Sequence, residues 1–260
     1  MEPFDINNVL GHFQPIGLKE MDSVKLMNRV DMKYILPADK IPMILSKLNG
    51  YYKVLEIDNI RSFSYFTTYL DTDDFLFFNH HMTGRLERHK VRYRRYESTG
   101  VTYLEVKMRT NTNRTVKWRI KTENQNGEGF DAASGEFISR HIKLKPDQLK
   151  PVLFNNFKRI TLVNVGMTER VTIDFNLTFA DNNSASAELP YLGIIEIKKE
   201  GSAYKSETEK TLREMSVRPT GFSKYCIGAA IFNEIPRKNM LKQKFILINK
   251  IKNEYYRSVC

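Results

Sequence analysis

The sequence predicts an α+β fold in which antiparallel β-strands are flanked by helices. Six segments alternate apolar with charged residues, which is the period of a strand that has one buried face. Short polar connections join three of these segments as in hairpins, and apolar residues at helical spacing lie before and after them. The chain has 260 residues, 41% of them hydrophobic, so it can bury a core as a single domain over residues 1–260.

The first predicted strand covers residues 29–36, with the sequence RVDMKYIL. Successive strand residues point to opposite sides, so Arg29, Asp31 and Lys33 share one face. Their apolar neighbours form the other face. A short helix with apolar residues at helical spacing is predicted next, over residues 38–48.

Three consecutive strands form the basic centre of the chain, over residues 88–96, 101–109 and 114–121. Short connections at residues 98–100 and 110–113 predict that they pair as antiparallel neighbours. Each strand sets apolar residues on one face and charged residues on the other. The charged faces contain Arg88, Lys90, Arg92, Arg94, Glu105, Lys107, Arg109, Lys117 and Arg119.

The C-terminal half mixes strands with helices and loops. Strands are predicted over residues 169–175 and 192–200, and their charged faces carry Arg170, Asp174, Glu196 and Lys198. Loops are predicted at residues 124–135 and 181–187, which are rich in Gly, Asn and Ser. Helices are predicted at residues 146–157, where Pro151 interrupts the pattern, at 203–215, at 222–234, and as a basic amphipathic helix at 237–257.

The charge of the chain predicts an acidic partner. The formal net charge is +11, and residues 85–121 alone contain twelve Lys and Arg against three Glu. Nucleic acid, an anionic membrane surface and a small polyanion are the candidate partners. Nucleic acid is disfavoured because Tyr93 and Trp118 fall on the face opposite the arginines, where rings pack in a core rather than stack on bases.

Several other classes of protein are excluded by what the sequence lacks. No apolar stretch is long enough to span a membrane, and no secretory signal or disulfide framework is present, so a cytoplasmic location is expected. The sequence has no glycine-rich phosphate loop and no HExxH motif. His80 and His81 are predicted to form a turn rather than a metal site, and Ser223 lies outside any GxSxG motif.

Alternation alone leaves two arrangements of the sheet open. An antiparallel sheet commonly has one face on a core and the other in water. A closed or strongly curved sheet would instead turn the charged faces inward around a cavity, with the apolar faces packed outside against helices. Such a cavity would concentrate about ten cations, and unpaired buried charges cost several kcal/mol each, so it would require a polyanionic ligand.

An ordered set of motifs over residues 28–233 resembles a known family. RVDMKY, TTYLDT, HKVRYRRY, LEVK, RTVKWRI, an ER pair before a strand, IIEIK and FSKYCIG occur in this order. Together they resemble the VTC (vacuolar transporter chaperone) polyphosphate polymerase domain, of the CYTH or triphosphate tunnel metalloenzyme superfamily. The resemblance implies an antiparallel β-barrel that forms a tunnel with a charged interior. It also implies transfer of the terminal phosphate of ATP onto a growing polyphosphate chain.

The resemblance also implies roles for individual residues. Lys224, Arg92, Arg94 and Arg170 are implied to be catalytic, and Glu196 to hold Mn²⁺ or Mg²⁺. Glu105 or Asp174 would either orient the metal through water or pair with neighbouring arginines. The implied phosphate-binding residues are Arg29, Lys33, Arg92, Arg94, Lys107, Lys117, Arg170, Lys198 and Lys224.

The chain departs from the family pattern at three positions. Asp31 stands within R-x-D-x-K, where the wider superfamily has ExExK, and this favours the VTC branch. Gly221 replaces a second lysine that is common before FSK, and Thr168 replaces a tyrosine. Two alternatives to the polymerase therefore remain, a tripolyphosphate hydrolase and a non-catalytic polyphosphate-binding module. The expected partners are ATP and inorganic polyphosphate, with a membrane partner subunit for any translocation.

Overall fold

The computed structural model describes residues 6–22, 29–112, 114–124, 129–201 and 206–259. The strands are β1 (Gln14–Ile16), β2 (Arg29–Pro37), β3 (Tyr52–Leu55), β4 (Phe63–Asp71), β5 (Arg88–Tyr96), β6 (Thr102–Arg109), β7 (Thr115–Thr122), β8 (Lys150–Asn164), β9 (Glu169–Ala180), β10 (Ser186–Leu189) and β11 (Leu192–Glu200). The α-helices are α1 (Ile6–Gly11), α2 (Leu18–Asp22), α3 (Ile41–Leu48), α4 (Leu76–Met82), α5 (Ala132–His141), α6 (Glu207–Glu214), α7 (Lys224–Phe232) and α8 (Lys242–Val259).

The main sheet confirms the predicted antiparallel architecture. Its strands follow the order β2-β11-β9-β8-β4-β5-β6-β7, and each neighbouring pair in this order is antiparallel. The short strand β10 pairs with the end of β9 in antiparallel orientation, while β3 pairs with β8 and has β1 beside it in parallel. The six strands predicted from alternation are β2, β5, β6, β7, β9 and β11.

The sheet is rolled into a tunnel-like shape. Strands β2 and β6 are six steps apart in the strand order, about 29 Å in a flat sheet with ~4.8 Å between strands. Yet Lys33 on β2 and Lys90 on β5, the neighbour of β6, bind adjacent residues, Phe222 and Ser223. The curvature therefore brings the two ends of the sheet to face each other. In the described residues the hydrogen-bonded ladder ends at β2 and β7 and does not close.

The apolar faces of the strands lie on the outside of the roll, under helices. On one side, Tyr34 of β2 and Ile195 of β11 are buried with Ile41 and Leu45 of α3. On the other side, apolar residues of β5 and β6 pack under α5 in a second cluster. Burial of these faces supplies the main driving force for folding. The charged faces are consequently left to point inward.

Helix α7 fills one end of the roll. Its residues are almost all apolar and are buried against side chains of β4, β8 and β9. A Cβ atom at Gly228 would lie 2.6 Å from both Leu153 Cδ2 and Phe179 Cδ1, so only glycine allows this close approach. After α7 the predicted amphipathic helix forms as α8, with Ile248 and Ile251 buried and Ile246 half exposed. No helix in the described part of the chain is long and apolar enough to cross a membrane.

Three local predictions were wrong. The helix predicted over residues 146–157 is a single 3-10 turn at Pro146–Gln148 followed by strand β8, which gains hydrogen bonds from β4 and β9 on both sides. The predicted loop at 124–135 overlaps α5, whose first turn is capped by Asp131; residues 125–128 lie outside the described residues. His80 and His81 belong to α4, where Asp71 accepts hydrogen bonds from the first backbone amides, instead of to a turn.

The remaining predicted helices form close to their expected positions. Residues 38–48 become a 3-10 turn followed by α3. The helix predicted over 203–215 is α6, where Ser206 accepts a hydrogen bond from the amide of Glu209 as its N-cap. The part of that prediction over 203–205 lies outside the described residues. The helix predicted over 222–234 is α7.

Candidate functional site

Three hydrogen-bonded strands line one wall of the tunnel with lysines and arginines. Lys90 of β5 lies opposite Lys107 of β6, which in turn lies opposite Lys117 of β7, so three lysines form a row across the sheet. Like charges placed directly opposite each other destabilise a sheet. Burial and the neighbouring cations lower the pKa of Lys90 and of Lys107 to about 8. This row is the arrangement expected of a site that receives an anion.

One buried carboxylate holds the cations next to this row. Glu105, on β6, is 1% exposed and accepts hydrogen bonds from Arg92, at 2.7 Å, and from Lys117. Burial alone would favour the neutral acid, but the charges of Arg92, Arg94 and Lys117 outweigh it and hold the pKa of Glu105 well below its usual range. Of the two roles considered for Glu105, the structure therefore has it paired with cations.

The opposite wall contains the residue predicted to hold a metal. Glu196 of β11 lies between Lys33, 3.8 Å away, and Lys198, 3.7 Å away. Burial opposes its ionisation, but Lys33, Lys198 and Arg159 lower the pKa of Glu196 to about 2. Lys33 and Glu196 are direct partners in the ladder between β2 and β11, which fixes their proximity. Glu196 is thus ionised at neutral pH.

A second buried carboxylate binds two cations between the walls. Asp174 of β9 accepts a bidentate pair from Arg159, with contacts of 2.5 and 2.7 Å, and a further hydrogen bond from Lys224. Asp174 is thus also paired, rather than free to bind a metal through water. Burial lowers the pKa of Lys224 to about 7, although Asp174 favours its charged form. Arg159 was not among the predicted site residues.

The start of α7 closes this end of the tunnel by contacting four strands. Lys33 of β2 donates to the carbonyl of Phe222 at 3.3 Å, and Lys90 of β5 donates to Ser223 Oγ at 2.9 Å. The remaining contacts run from Lys224 to Asp174 on β9 and from the Tyr225 hydroxyl to Asp71 on β4. The FSK motif therefore lies among the tunnel cations, as the resemblance implies.

His81 and Lys90 are site residues that the sequence did not identify. Burial and the charges of Lys90, Arg88 and Lys33 lower the pKa of His81 to about 3, so its imidazole is neutral at physiological pH. The sequence places Lys90 on a charged strand face but does not show how deeply its side chain is buried. Its position beneath α7 depends on a contact 133 residues away along the chain, which no local pattern reveals.

The structure brings together most of the predicted cations. Arg170 lies at the level of Lys198 in the ladder between β9 and β11 and donates to the carbonyl of Met21 at 3.1 Å. Arg29 pairs with Glu200 in the backbone ladder, but its side chain lies outside the described residues. Within the described ranges, the carboxylates Glu105, Asp174 and Glu196 lie among a larger number of cations: Lys33, Lys90, Arg92, Arg94, Lys107, Lys117, Arg159, Lys198 and Lys224.

The carboxylates do not form a metal cage by themselves. The described residues contain no group of three or more His, Cys, Asp or Glu side chains placed to hold an ion. Mg²⁺ is commonly bound by one or two carboxylates together with phosphate oxygens of the substrate. Glu196, ionised and reachable from the tunnel, fits that kind of shared site. It would hold a divalent cation only in company with bound phosphates.

Comparison with known families agrees with this geometry. A model of the VTC domain matches residues 28–233, from the start of β2 to the end of α7. The chain belongs to the VTC domain family. The match includes every tunnel residue described above and leaves α8 outside. A search of curated proteins gives no significant match.

Solved structures share the fold of this VTC domain at low sequence identity. A candidate adenylate cyclase from Bacillus halodurans aligns with a TM-score of 0.51 and 14% identity, over 76% of this chain and 94% of that one. A candidate adenylyl cyclase from Hippeastrum, described as having a dominant triphosphatase activity, aligns with a TM-score of 0.50 and 13% identity, over 82% and 99%. The VTC domain thus shares its fold with these two proteins.

Proposed function

We propose that this VTC domain binds a chain of phosphates in its tunnel and transfers the terminal phosphate of ATP onto it. The observation that supports this most directly is the inward row of Lys90, Lys107 and Lys117 on three paired strands. Lys117 is already paired with Glu105, and a ligand with negative charge repeated along its length would neutralise the rest of the row. The lining also contains more cations than carboxylates, which again favours a polyanionic ligand.

The proposed reaction needs positioning and charge neutralisation more than covalent participation of the protein. A terminal oxygen of the polyphosphate chain attacks the γ-phosphorus of ATP, the bond between that phosphorus and the β,γ-bridging oxygen breaks, and ADP leaves. Arg92, Arg94, Lys224 and Arg170 would bind the oxygens on which charge accumulates, and Arg170 lies at the level of Lys198 in the ladder. A divalent cation, Mn²⁺ or Mg²⁺, held by Glu196 would neutralise further charge on the phosphates.

Other predicted phosphate contacts would act along the length of the bound chain. Lys33 and Lys198 sit on either side of Glu196, and Lys107 and Lys117 lie on the opposite wall. Glu105 and Asp174 would keep the arginines oriented before the ligand arrives, which lowers the cost of organising the site. We also propose a cytoplasmic location, where ATP is available.

Hydrolysis of tripolyphosphate is the second candidate. The same tunnel would cleave a phosphate chain if water rather than a second chain were the acceptor. Gly221, which leaves no cation immediately before the FSK motif, favours a third candidate, a module that binds polyphosphate without catalysis. A protein that binds the chain without reacting would carry the same tunnel cations.

One assay separates these candidates. Purified protein is incubated with ATP and Mn²⁺ and scored for long-chain polyphosphate, and with tripolyphosphate and scored for released phosphate. Polymer that is lost in Arg92→Ala and Glu196→Ala, but kept in Arg140→Ala on the outer surface of α5, supports the polymerase. Phosphate release without polymer supports the hydrolase. Tight polyphosphate binding with neither product leaves a binding module.

A further inference from the structure

A row of aromatic rings crosses four neighbouring strands of the tunnel wall. The row consists of Phe157 on β8, Tyr65 on β4, Tyr96 on β5 and Tyr103 on β6. Phe157 stacks on Tyr65 with ring centroids 5.3 Å apart, Tyr65 meets the edge of Tyr96 at 5.1 Å, and Tyr96 meets the edge of Tyr103 at 5.9 Å. We call these four residues the aromatic row.

Strand register places the aromatic row on the inner face. Tyr65 pairs with Tyr96 and with Phe157, and Tyr103 pairs with Arg94. Arg94 donates to Thr67, two residues from Tyr65 on the same face of β4. Each ring therefore points to the same side as the tunnel cations.

The row runs outward from α7, because the centroid of the Phe157 ring lies 4.0 Å from Lys224 Nζ while Tyr96 and Tyr103 stand at the other end of the row. Helix α7 contacts β4 at Asp71 and Tyr69, whereas the row crosses β4 at Tyr65. On β5, six residues separate Tyr96 from Lys90, which donates to Ser223 at the start of α7, and this is about 20 Å along a strand. The rings of Tyr65, Tyr96 and Tyr103 are partly accessible to solvent, while Phe157 is buried behind them. Tyr96 and Tyr103, at the end of the row away from α7, thus form part of the open mouth of the tunnel.

Cations lie beside the rings as well as deeper in the tunnel. The guanidinium of Arg119, an exposed residue of β7, is 4.7 Å from the centroid of the Tyr103 ring. The guanidinium of Arg94 is 5.6 Å from the centroid of Tyr65. From Arg94, the inward positions Arg92 and Lys90 follow along β5 at intervals of about 7 Å, two strand residues each.

Phosphate recognition does not account for this surface. Ring faces carry partial negative charge and gain nothing from an anion, whereas lysine and arginine side chains bind phosphates directly. Aromatic rings and a guanidinium plane at the mouth, followed inward along β5 by Arg94, Arg92 and Lys90, suit a ligand with a planar head and an anionic tail. A nucleoside triphosphate has this structure, and bases stack readily on aromatic side chains and arginine.

We propose that Tyr96, Tyr103 and Arg119 bind the nucleobase of a nucleoside triphosphate whose phosphates extend inward past Arg94 and Arg92. The inference rests on the proposed function, because it assigns the donor nucleotide a direction in the tunnel. It adds a base-binding site at the mouth. Stacking tolerates any base, so ATP and GTP should bind with similar affinity.

The test compares a ligand that has a base with one that lacks it. Isothermal titration calorimetry measures the affinity of ATP and of tripolyphosphate for the wild type, Tyr103→Ala and Tyr96→Leu. Both substitutions should weaken ATP binding about tenfold, in the range measured for loss of one stacked base, and change tripolyphosphate binding less than twofold. Tyr103→Phe keeps the ring and should match the wild type. Tyr51→Ala removes a tyrosine that is 53% exposed outside the tunnel and should change neither affinity.

The possible outcomes separate this inference from the proposed function. Unchanged ATP affinity in Tyr103→Ala and Tyr96→Leu, with tripolyphosphate still bound, overturns the base-binding site and leaves the phosphate tunnel standing. Equal losses for both ligands also overturn it, since the rings would then serve only to shape the wall. A wild-type protein that binds neither ligand contradicts the proposed function itself.

Discussion

Glu105 keeps two cations in place within the tunnel before any ligand arrives. Its side chain is 1% exposed and bridges Arg92 and Lys117, which are themselves partly accessible to water. Removing one partner of a buried ion pair leaves the other charges desolvated and uncompensated. The carboxylates of the lining thus stabilise the fold and organise the site at the same time.

Glu105→Gln should lower the free energy of unfolding by about 2–4 kcal/mol, because Arg92 and Lys117 lose their common counter-ion. Thermal and urea denaturation measure this loss. Tripolyphosphate should restore part of it and raise the melting temperature of Glu105→Gln more than that of the wild type. Glu136→Gln, which breaks an exposed pair with Arg140 on α5, is the matched control and should cost less than about 0.5 kcal/mol. Equal losses in the two variants would argue against a structural role for the buried pair.

The lysines of the site predict a pH dependence of phosphate binding. In the free protein the pKa of Lys224 is lowered to about 7, and the pKa values of Lys90 and Lys107 to about 8. Below these values the lysines are already charged. Above them, binding an anion must take up a proton, which costs about 1.4 kcal/mol per pH unit for each group until the pKa of the bound state is reached.

Tripolyphosphate affinity should therefore fall as the pH rises from 7 to 9 at constant salt. Lys224→Arg keeps its charge throughout, so between pH 7 and 8 its affinity should fall up to tenfold less than that of the wild type. Lys90→Arg should show its main difference from the wild type between pH 8 and 9. Calorimetry over this range measures both. Parallel pH profiles for all three proteins would show that these lysines are not coupled to the ligand.

At the scale of single elements, α7 determines the shape of the closed end of the tunnel. Gly228 allows it to approach Leu153 and Phe179. Gly228→Ala should lower the free energy of unfolding by about 1–3 kcal/mol through overpacking. It should also weaken tripolyphosphate binding, because a displaced α7 moves Phe222 and Ser223 away from Lys33 and Lys90.

Gly11→Ala is the control for this substitution, because no atom lies within 4 Å of the added Cβ. Its stability and affinity should both stay within experimental error of the wild type. If Gly228→Ala loses stability but binds tripolyphosphate normally, the position of α7 does not affect the site.

The elements also show which parts of the fold a sequence can predict. Strands β2, β5, β6, β7, β9 and β11 have one apolar and one charged face, and this alternation located them to within a few residues. Strand β8 lacks that pattern, because a bulge between Asn156 and Lys158 interrupts its register with β9. Arg159 follows the bulge. Because β8 was not predicted as a strand, Arg159 was not assigned to a charged strand face either.

The depth of a residue is harder to predict than its face. Alternation placed Lys90, Arg92 and Arg94 on one side of β5, and the structure agrees. Whether that side met water or a cavity depended on the curvature of the whole sheet and on α7. Both are set by contacts between distant parts of the chain. The resemblance to a known family, and not periodicity, identified the tunnel.

At the scale of the whole molecule, repulsion between the concentrated positive charges lowers the stability of the free protein. The chain carries a formal net charge of +11, and much of the excess faces the tunnel. A polyanion that binds only the folded state should raise stability by about 2.7 kcal/mol at a concentration 100 times its dissociation constant. For a protein of this size that is a rise in melting temperature of about 5–10 °C.

Differential scanning fluorimetry with tripolyphosphate should show this rise, and added salt should reduce it by screening. Orthophosphate at the same total charge is the control and should give a smaller shift, because it cannot span several cations. A shift that is equal for both anions would indicate general ion binding to a basic surface.

The placement of the apolar faces outside the roll has an evolutionary consequence. Val91 and Leu104 pack under α5, and Tyr34 and Ile195 pack under α3, so the layers that drive folding are separate from the tunnel lining. Replacing an inward cation changes what the cavity recognises without disturbing these layers. Substitutions in the lining can therefore change the substrate during evolution while the apolar layers that stabilise the fold stay the same.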